Sequence, residues 1–174
     1  SAADIAYADG RFTVAGTDLS ADLFQVAARA QAATGAPLKA EGIYVPNFAP
    51  TFPSGAHLCE VEVDVETGRV RILRYLAVND FGRVLNPMLV EGQVHGGVAQ
   101  GIGQALMEEI AYDPGSGQLL TGSLMDYALP RADDLPSFET DFLELPQPDN
   151  PLGIKGCGES GCIAAPSAVV NAVL

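Results

Sequence analysis

A single carboxylate, Glu159, stands in a run of glycines, Gly153-Ile-Lys-Gly-Cys-Gly-Glu-Ser-Gly161. Glycine lets a backbone come close to a ligand and take positive φ. The run leads into Cys162–Leu174, which reads as a helix with Pro166 near its first turn. A glycine loop at a helix start offers free N–H groups and the positive end of the helix dipole, a setting that suits a phosphate or another anion. Two roles fit a carboxylate there: capping the helix, or acting as a base on something bound in the loop.

A second glycine-rich stretch is Gly92-Gln-Val-His-Gly-Gly-Val-Ala-Gln-Gly-Ile-Gly-Gln104. Each glycine in a helix interior costs about 0.8–1 kcal/mol against alanine. Something must offset glycine at 92, 96, 97, 101 and 103. Close packing of another backbone would do so, and so would a flat ligand. At helical spacing Gln93, Gly97, Gln100 and Gln104 share one face, while Val94, Val98, Ile102 and Ala105 share another. Amides that both donate and accept suit a heterocycle carrying N–H and C=O groups. Together the two stretches suggest a large polar cofactor with a phosphate-bearing tail. Neither is a dinucleotide fingerprint or a phosphate-binding P-loop.

The elements that must position these residues follow from the patterning. Ile5–Val14 reads as a hairpin turning at Asp9-Gly10. A helix is expected over Ala21–Ala33, with Ser20 as N-cap and Gly35 as C-cap. Leu38–Val45 reads as a strand and Pro46–Gly55, with its prolines, as a connection. His57–Val65 alternates strictly, with His57, Cys59, Val61, Val63 and Val65 on the apolar face. Thr67-Gly68 turns the chain into a partner strand, Arg69–Asn79. The loop Asp80–Pro87 precedes a helix over Met88–Ile110, although Glu108 and Glu109 then sit where the dipole disfavours them. Asp113–Gly117 is a turn, Leu119–Leu129 is extended or irregular, Arg131–Pro136 is a polar loop, and Phe138–Leu145 is a further strand. The fold class expected is α+β: antiparallel strands and hairpins packed with a few helices. Residues 1–50 form a hairpin–helix part and residues 51–174 carry both glycine-rich stretches.

Bulk properties exclude some classes. The net charge of −13 argues against nucleic acid and anionic membrane surfaces as partners. No apolar run is long enough to span a bilayer. Three cysteines, Cys59, Cys157 and Cys162, form no CxxC pair and suit free thiols in a reducing, cytoplasmic setting. His57 has no second ligand at metal spacing and reads as a packed or edge histidine. The chain stops at Val173-Leu174 inside a helical pattern, as expected for a piece of a longer polypeptide.

The two glycine-rich stretches, with Cys59–Gly68, Asp80-Phe-Gly-Arg-Val-Leu-Asn-Pro87 and Thr121–Pro130, resemble the C-terminal part of the molybdenum-binding large subunit of the xanthine dehydrogenase and aldehyde oxidase family. Within it, the aerobic carbon monoxide dehydrogenase large-chain branch is the nearest in appearance. The resemblance implies molybdopterin with molybdenum, in the cytosine dinucleotide form of bacterial members. It implies oxidation of a small carbon substrate (an aldehyde, an N-heterocycle or carbon monoxide) with water as oxygen source. Iron–sulfur and flavin subunits or domains would take the electrons, in an oligomeric complex. Glu159 matches the family's general base. Gln93 matches a glutamine near the pterin, and Gln100, Lys155, Gly156 and Gly158 fall in the same motifs as cofactor contacts. The family's upstream region, which holds the rest of the pocket, lies outside these residues. The 174 residues alone are therefore expected to bind no cofactor and to be inactive. None of the three cysteines matches the copper-binding cysteine of carbon monoxide dehydrogenases. The alternative is a non-catalytic small-molecule-binding or assembly module that keeps the glycine scaffold.

Overall fold

The computed structural model describes residues 2–43 and 51–174. Contacts divide the chain into two units, Ser1–Val45 and Pro46–Leu174.

In the first unit, β1 (Ile5–Ala8) and β2 (Arg11–Val14) form the expected hairpin, with Tyr7 opposite Phe12. Asp9 and Gly10 take φ of 49° and 77°, as a two-residue turn of this hand requires. The chain then adds a short third strand, β3 (Ser20–Asp22), before α1 (Leu23–Thr34). Ser20 is therefore not the N-cap: it pairs with Thr13, and Arg11 Nη2 donates to its Oγ at 3.1 Å. Asp22 caps instead. Its Oδ1 accepts from Gln25 N at 2.8 Å, and Gln25 Oε1 accepts from Asp22 N at 3.1 Å. This reciprocal box satisfies two donors that Ser20 could not reach together. Gly35 closes the helix in the left-handed region, as expected. The strand expected over Leu38–Val45 does not form over residues 38–43; its last two residues and residues 46–50 of the following connection lie outside the described residues. No described strand lies beside residues 38–43 to satisfy their N–H and C=O groups.

The second unit is built on the sheet β4 (Ser54–Val63), β5 (Val70–Asp80) and β6 (Phe138–Leu143), in that order. β4 and β5 pair antiparallel, with His57, Cys59 and Val61 half-buried as the alternation predicts. Val65 is 91 % exposed, because the strand ends at Val63 and the chain turns there. Asp64 N donates to Arg69 O and Gly68 N to Asp64 O, and Gly68 has φ of 71°. β6 joins β5 in parallel, a pairing that alternation within one strand does not specify. Arg74 reinforces it by gripping Glu139 with two nitrogens.

Two helices cover this sheet. α2 (Pro87–Leu106) is capped by Asn86, whose Oδ1 accepts from Leu89 N at 3.2 Å, and has Pro87 in its first turn. It stops short of the expected Ile110. The N–H groups of Met107 and Glu108 both donate to Gly103 O, which ends the helix. Glu108 and Glu109 thus lie beyond its C-terminus, and the expected clash with the dipole does not arise. α3 (Ser160–Val173) begins earlier than the sequence suggests, so Pro166 falls inside the helix rather than near its first turn.

The core gathers Ile72, Tyr75, Ala77 and Phe81 from β5 and its exit, Val94, Val98 and Ile102 from α2, and Ala165 and Val169 from α3. The glycines of α2 explain how the helices meet. A Cβ on Gly97 would lie 2.8 Å from Cys162 N and 2.9 Å from Gly161 Cα, and one on Gly101 would lie 2.9 Å from Pro166 Cδ. One on Gly103 would lie 2.8 Å from Pro130 Cδ. For these three positions, packing of neighbouring chain on bare backbone is what offsets the helix cost.

Candidate functional site

Gly92 and Gly96 have no such reason within the chain: a Cβ at either would meet nothing within 4 Å. They sit on the exposed part of α2, beside Gln93 and Gln100 at helical spacing. Gln93 reaches across to the glycine loop, where its Nε2 donates to Gly158 O at 2.6 Å. That bond leaves the Gln93 carbonyl oxygen as an acceptor. Gly158 likewise has open space where a Cβ would be. The second Gly156 Hα direction faces Thr51 O at 4.0 Å.

Glu159 occupies the N-cap position of α3 with φ of −119° and ψ of 0°, but its side chain makes no capping bond. Of the two roles open to it, the side-chain cap is therefore not the one taken. The helix start is secured by its neighbours: Ser160 is nearly buried, with Oγ donating to Cys157 O at 3.0 Å, and Gly161 is pressed on α2. The carboxylate instead opens on a groove of about 470 Å³ lined by Gln100, Gln104, Glu108, Tyr127, Cys162 and Ile163.

The structure thus brings Glu159 and Gln100 to one groove and ties Gln93 to the residue before Glu159. It places Lys155 differently: the ammonium is paired with the nearly buried Asp80 and does not line the groove. Glu108 and Tyr127 were not singled out by sequence reasoning. Tyr127 Oη donates to Glu108 Oε2 at 2.6 Å. This hydrogen bond to a carboxylate pushes the phenol above its ordinary value. Glu108 was hidden by its expected place within α2, and Tyr127 lies in an irregular segment with no periodicity to read. Asp80 opens the Asp80–Pro87 motif, but no feature of that motif points to its pairing with Lys155.

Among the described residues, no group of three or more His, Cys, Asp or Glu is placed to hold a metal ion. No helix among them is long and apolar enough to cross a membrane. Protein side chains here would hold a cofactor through amides, backbone and a carboxylate. Bare glycine surface at 92, 96 and 158, next to amides with unused acceptors, fits a flat heterocyclic group.

Comparison with known proteins gives this surface a family. The chain belongs to the molybdopterin cofactor-binding domain family, whose model matches residues 1–136. It is 41 % identical over 177 residues to the 6-hydroxypseudooxynicotine dehydrogenase complex subunit gamma of Paenarthrobacter nicotinovorans, covering 98 % of this chain and 22 % of that protein. The carbon monoxide dehydrogenase large chain of Afipia carboxidovorans is 42 % identical over 123 residues, which is 71 % of this chain and 15 % of the relative. A crystal structure of Cu,Mo-CO dehydrogenase in its carbon monoxide reduced state superimposes with a TM-score of 0.86 at 35 % identity, over 98 % of this chain and 22 % of that one. The α+β architecture is that of a part of the carbon monoxide dehydrogenase large subunit. The chain spans about a fifth of the length of the relatives it matches along nearly its whole length.

Proposed function

We propose that these residues supply the general base and part of the pterin cradle of a molybdenum-dependent hydroxylase or dehydrogenase. The observation that carries the reading is a Glu159 carboxylate free of capping duty, opening on a groove shared with Gln100 and adjoining unfilled glycine surface. Gln93, Gln100, Gly156 and Gly158 hold the pterin by amide and backbone contacts, with Lys155 at the edge of that set. When bound, molybdopterin with molybdenum, in the cytosine dinucleotide form, supplies the oxygen-transfer and two-electron redox chemistry. Glu159 accepts, at a carboxylate oxygen, the proton released as water-derived oxygen is delivered to the substrate carbon. The substrate is a small molecule with an activated carbon, as in an aldehyde, an N-heterocycle or carbon monoxide. Electrons leave through iron–sulfur and flavin partners in an oligomeric, cytoplasmic complex.

The test uses the full-length protein with its partners. Glu159→Gln keeps molybdenum and nucleotide content and lowers turnover on the order of 100-fold or more, the usual range for loss of a general base. Turnover retained in that variant removes Glu159 from the role. A full-length protein that carries neither molybdenum nor a pterin nucleotide supports the non-catalytic module instead.

A further inference from the structure

The glycine loop is held by a residue with no assigned part in the site. Asp80 ends β5 and is only 5 % exposed. Its Oδ1 accepts from Gly82 N at 2.8 Å and from Leu145 N at 3.1 Å, and its Oδ2 accepts from the Lys155 ammonium. One carboxylate therefore joins the exit of β5, the segment after β6 and the glycine loop. Burial works to raise the Asp80 carboxyl, but the Lys155 ammonium and the two backbone donors outweigh it and hold it below its ordinary value. The backbone adds to this junction. Lys155 N donates to Phe81 O at 2.8 Å, and Gly153 O accepts from Arg83 N at 2.9 Å and Gln147 N at 3.1 Å. Gly82 and Gly153 both take positive φ where these segments cross.

Downstream of Lys155 the loop is fixed again, by Gln93 on Gly158 O and by Gly161 against Gly97. Glu159 lies between the two anchors and has no side-chain cap of its own. Its place is thus set through the backbone, and Asp80 fixes the upstream end.

We propose that Asp80, paired with Lys155, is a positioning residue that aims Glu159 into the groove. This rests on the reading of Glu159 as the base. A misplacement of about 1 Å at a reacting group costs on the order of 100-fold in rate. Asp80→Asn removes the charge that pairs the half-buried ammonium, so the double variant Asp80→Asn/Lys155→Gln is made beside it to neutralise both partners.

In the full-length holoenzyme, both variants are measured for molybdenum content, kcat, KM and the pH profile of kcat. The expected result is molybdenum retained, kcat lowered about 10- to 100-fold with KM changed less than about threefold, and a displaced acid limb of the pH profile. Wild-type kcat and acid limb in a folded variant overturn the inference, even if the melting temperature falls. Loss of folding in both variants also overturns it, since the pair then serves the fold as a whole. Glu159→Gln separates the two readings. Retained turnover there defeats the base assignment, whereas an inactive Glu159→Gln beside an unimpaired Asp80→Asn defeats only the positioning role.

Discussion

His57 illustrates how a side chain that could ligate a metal is instead committed to packing. It sits half-buried on β4, with Nδ1 2.9 Å from the hydroxyl of the fully buried Tyr75. Burial lowers its pKa below 6.5, against the opposing effect of a hydrogen bond with Asn79. A proton therefore binds the unfolded chain more readily than the folded one. Stability falls as pH drops below about 6.5, and the loss is complete once pH passes below the folded value. Urea unfolding at pH 7.5 and pH 5.5 checks this: the acid-side loss is expected to shrink in His57→Gln. Asp80 titrates in a separate window. Its folded value lies below 3.8, so its contribution is present above that pH and is lost only in stronger acid. At this scale, local chemistry was legible and distant chemistry was not. The Asp9-Gly10 turn and the Gly35 cap follow from residues adjacent in sequence. The Asp80–Lys155 pair joins residues 75 apart, and nothing in either residue's neighbourhood names the other.

For the elements, the glycines of α2 divide into two kinds that composition cannot tell apart. Gly97→Ala places a methyl group against the backbone of α3, where no side chain can move aside. Overpacking of this sort costs about 1–3 kcal/mol, more than the gain of about 0.8–1 kcal/mol from helix propensity. Gly97→Ala is therefore expected to lower the midpoint of thermal unfolding. Gly92→Ala meets nothing, so the 174-residue chain should gain about 0.8–1 kcal/mol from the same propensity. If the cofactor reading holds, that gain reverses in the full-length protein, where Gly92→Ala lowers molybdenum content. Calorimetry of the chain and metal analysis of the holoprotein measure the two signs. The helices themselves were readable from period and caps, with Asn86-Pro87 marking the start of α2. The end of α2 was not: it closes where Gly103 meets Pro130, a contact made by tertiary packing rather than by a local stop signal.

Taken whole, the two units differ in how they are held. None of residues 2–43 is fully buried, whereas residues 51–174 contain a core running from Ile72 to Val169. The fraction of surface buried on folding falls as a unit gets smaller, and the first unit, Ser1–Val45, is much the smaller of the two. Amides of β1, β2 and α1 are accordingly expected to exchange with solvent faster than those of Tyr75, Ala77 and Val98, as hydrogen exchange read by mass spectrometry would report. Equal protection across both units would contradict this. The α+β class and the family were both legible, because the alternating strand β4 and the glycine motifs keep their character in isolation. The parallel register of β6 was not, since it depends on which edge of β5 is free.

That parallel pairing bears on the order of folding. β6 meets β5 only after the chain has travelled through α2 and the irregular segment that follows it. The bonds from Asp80 to Leu145 and Lys155 span 65 and 75 residues. Contacts this remote are rewarded only after the intervening loop has closed, and closure is slow compared with forming a hairpin such as β4–β5. The glycine loop that carries Glu159 is therefore among the last parts of the molecule to take shape. A newly made chain would hold the β4–β5 hairpin before it holds its carboxylate in place.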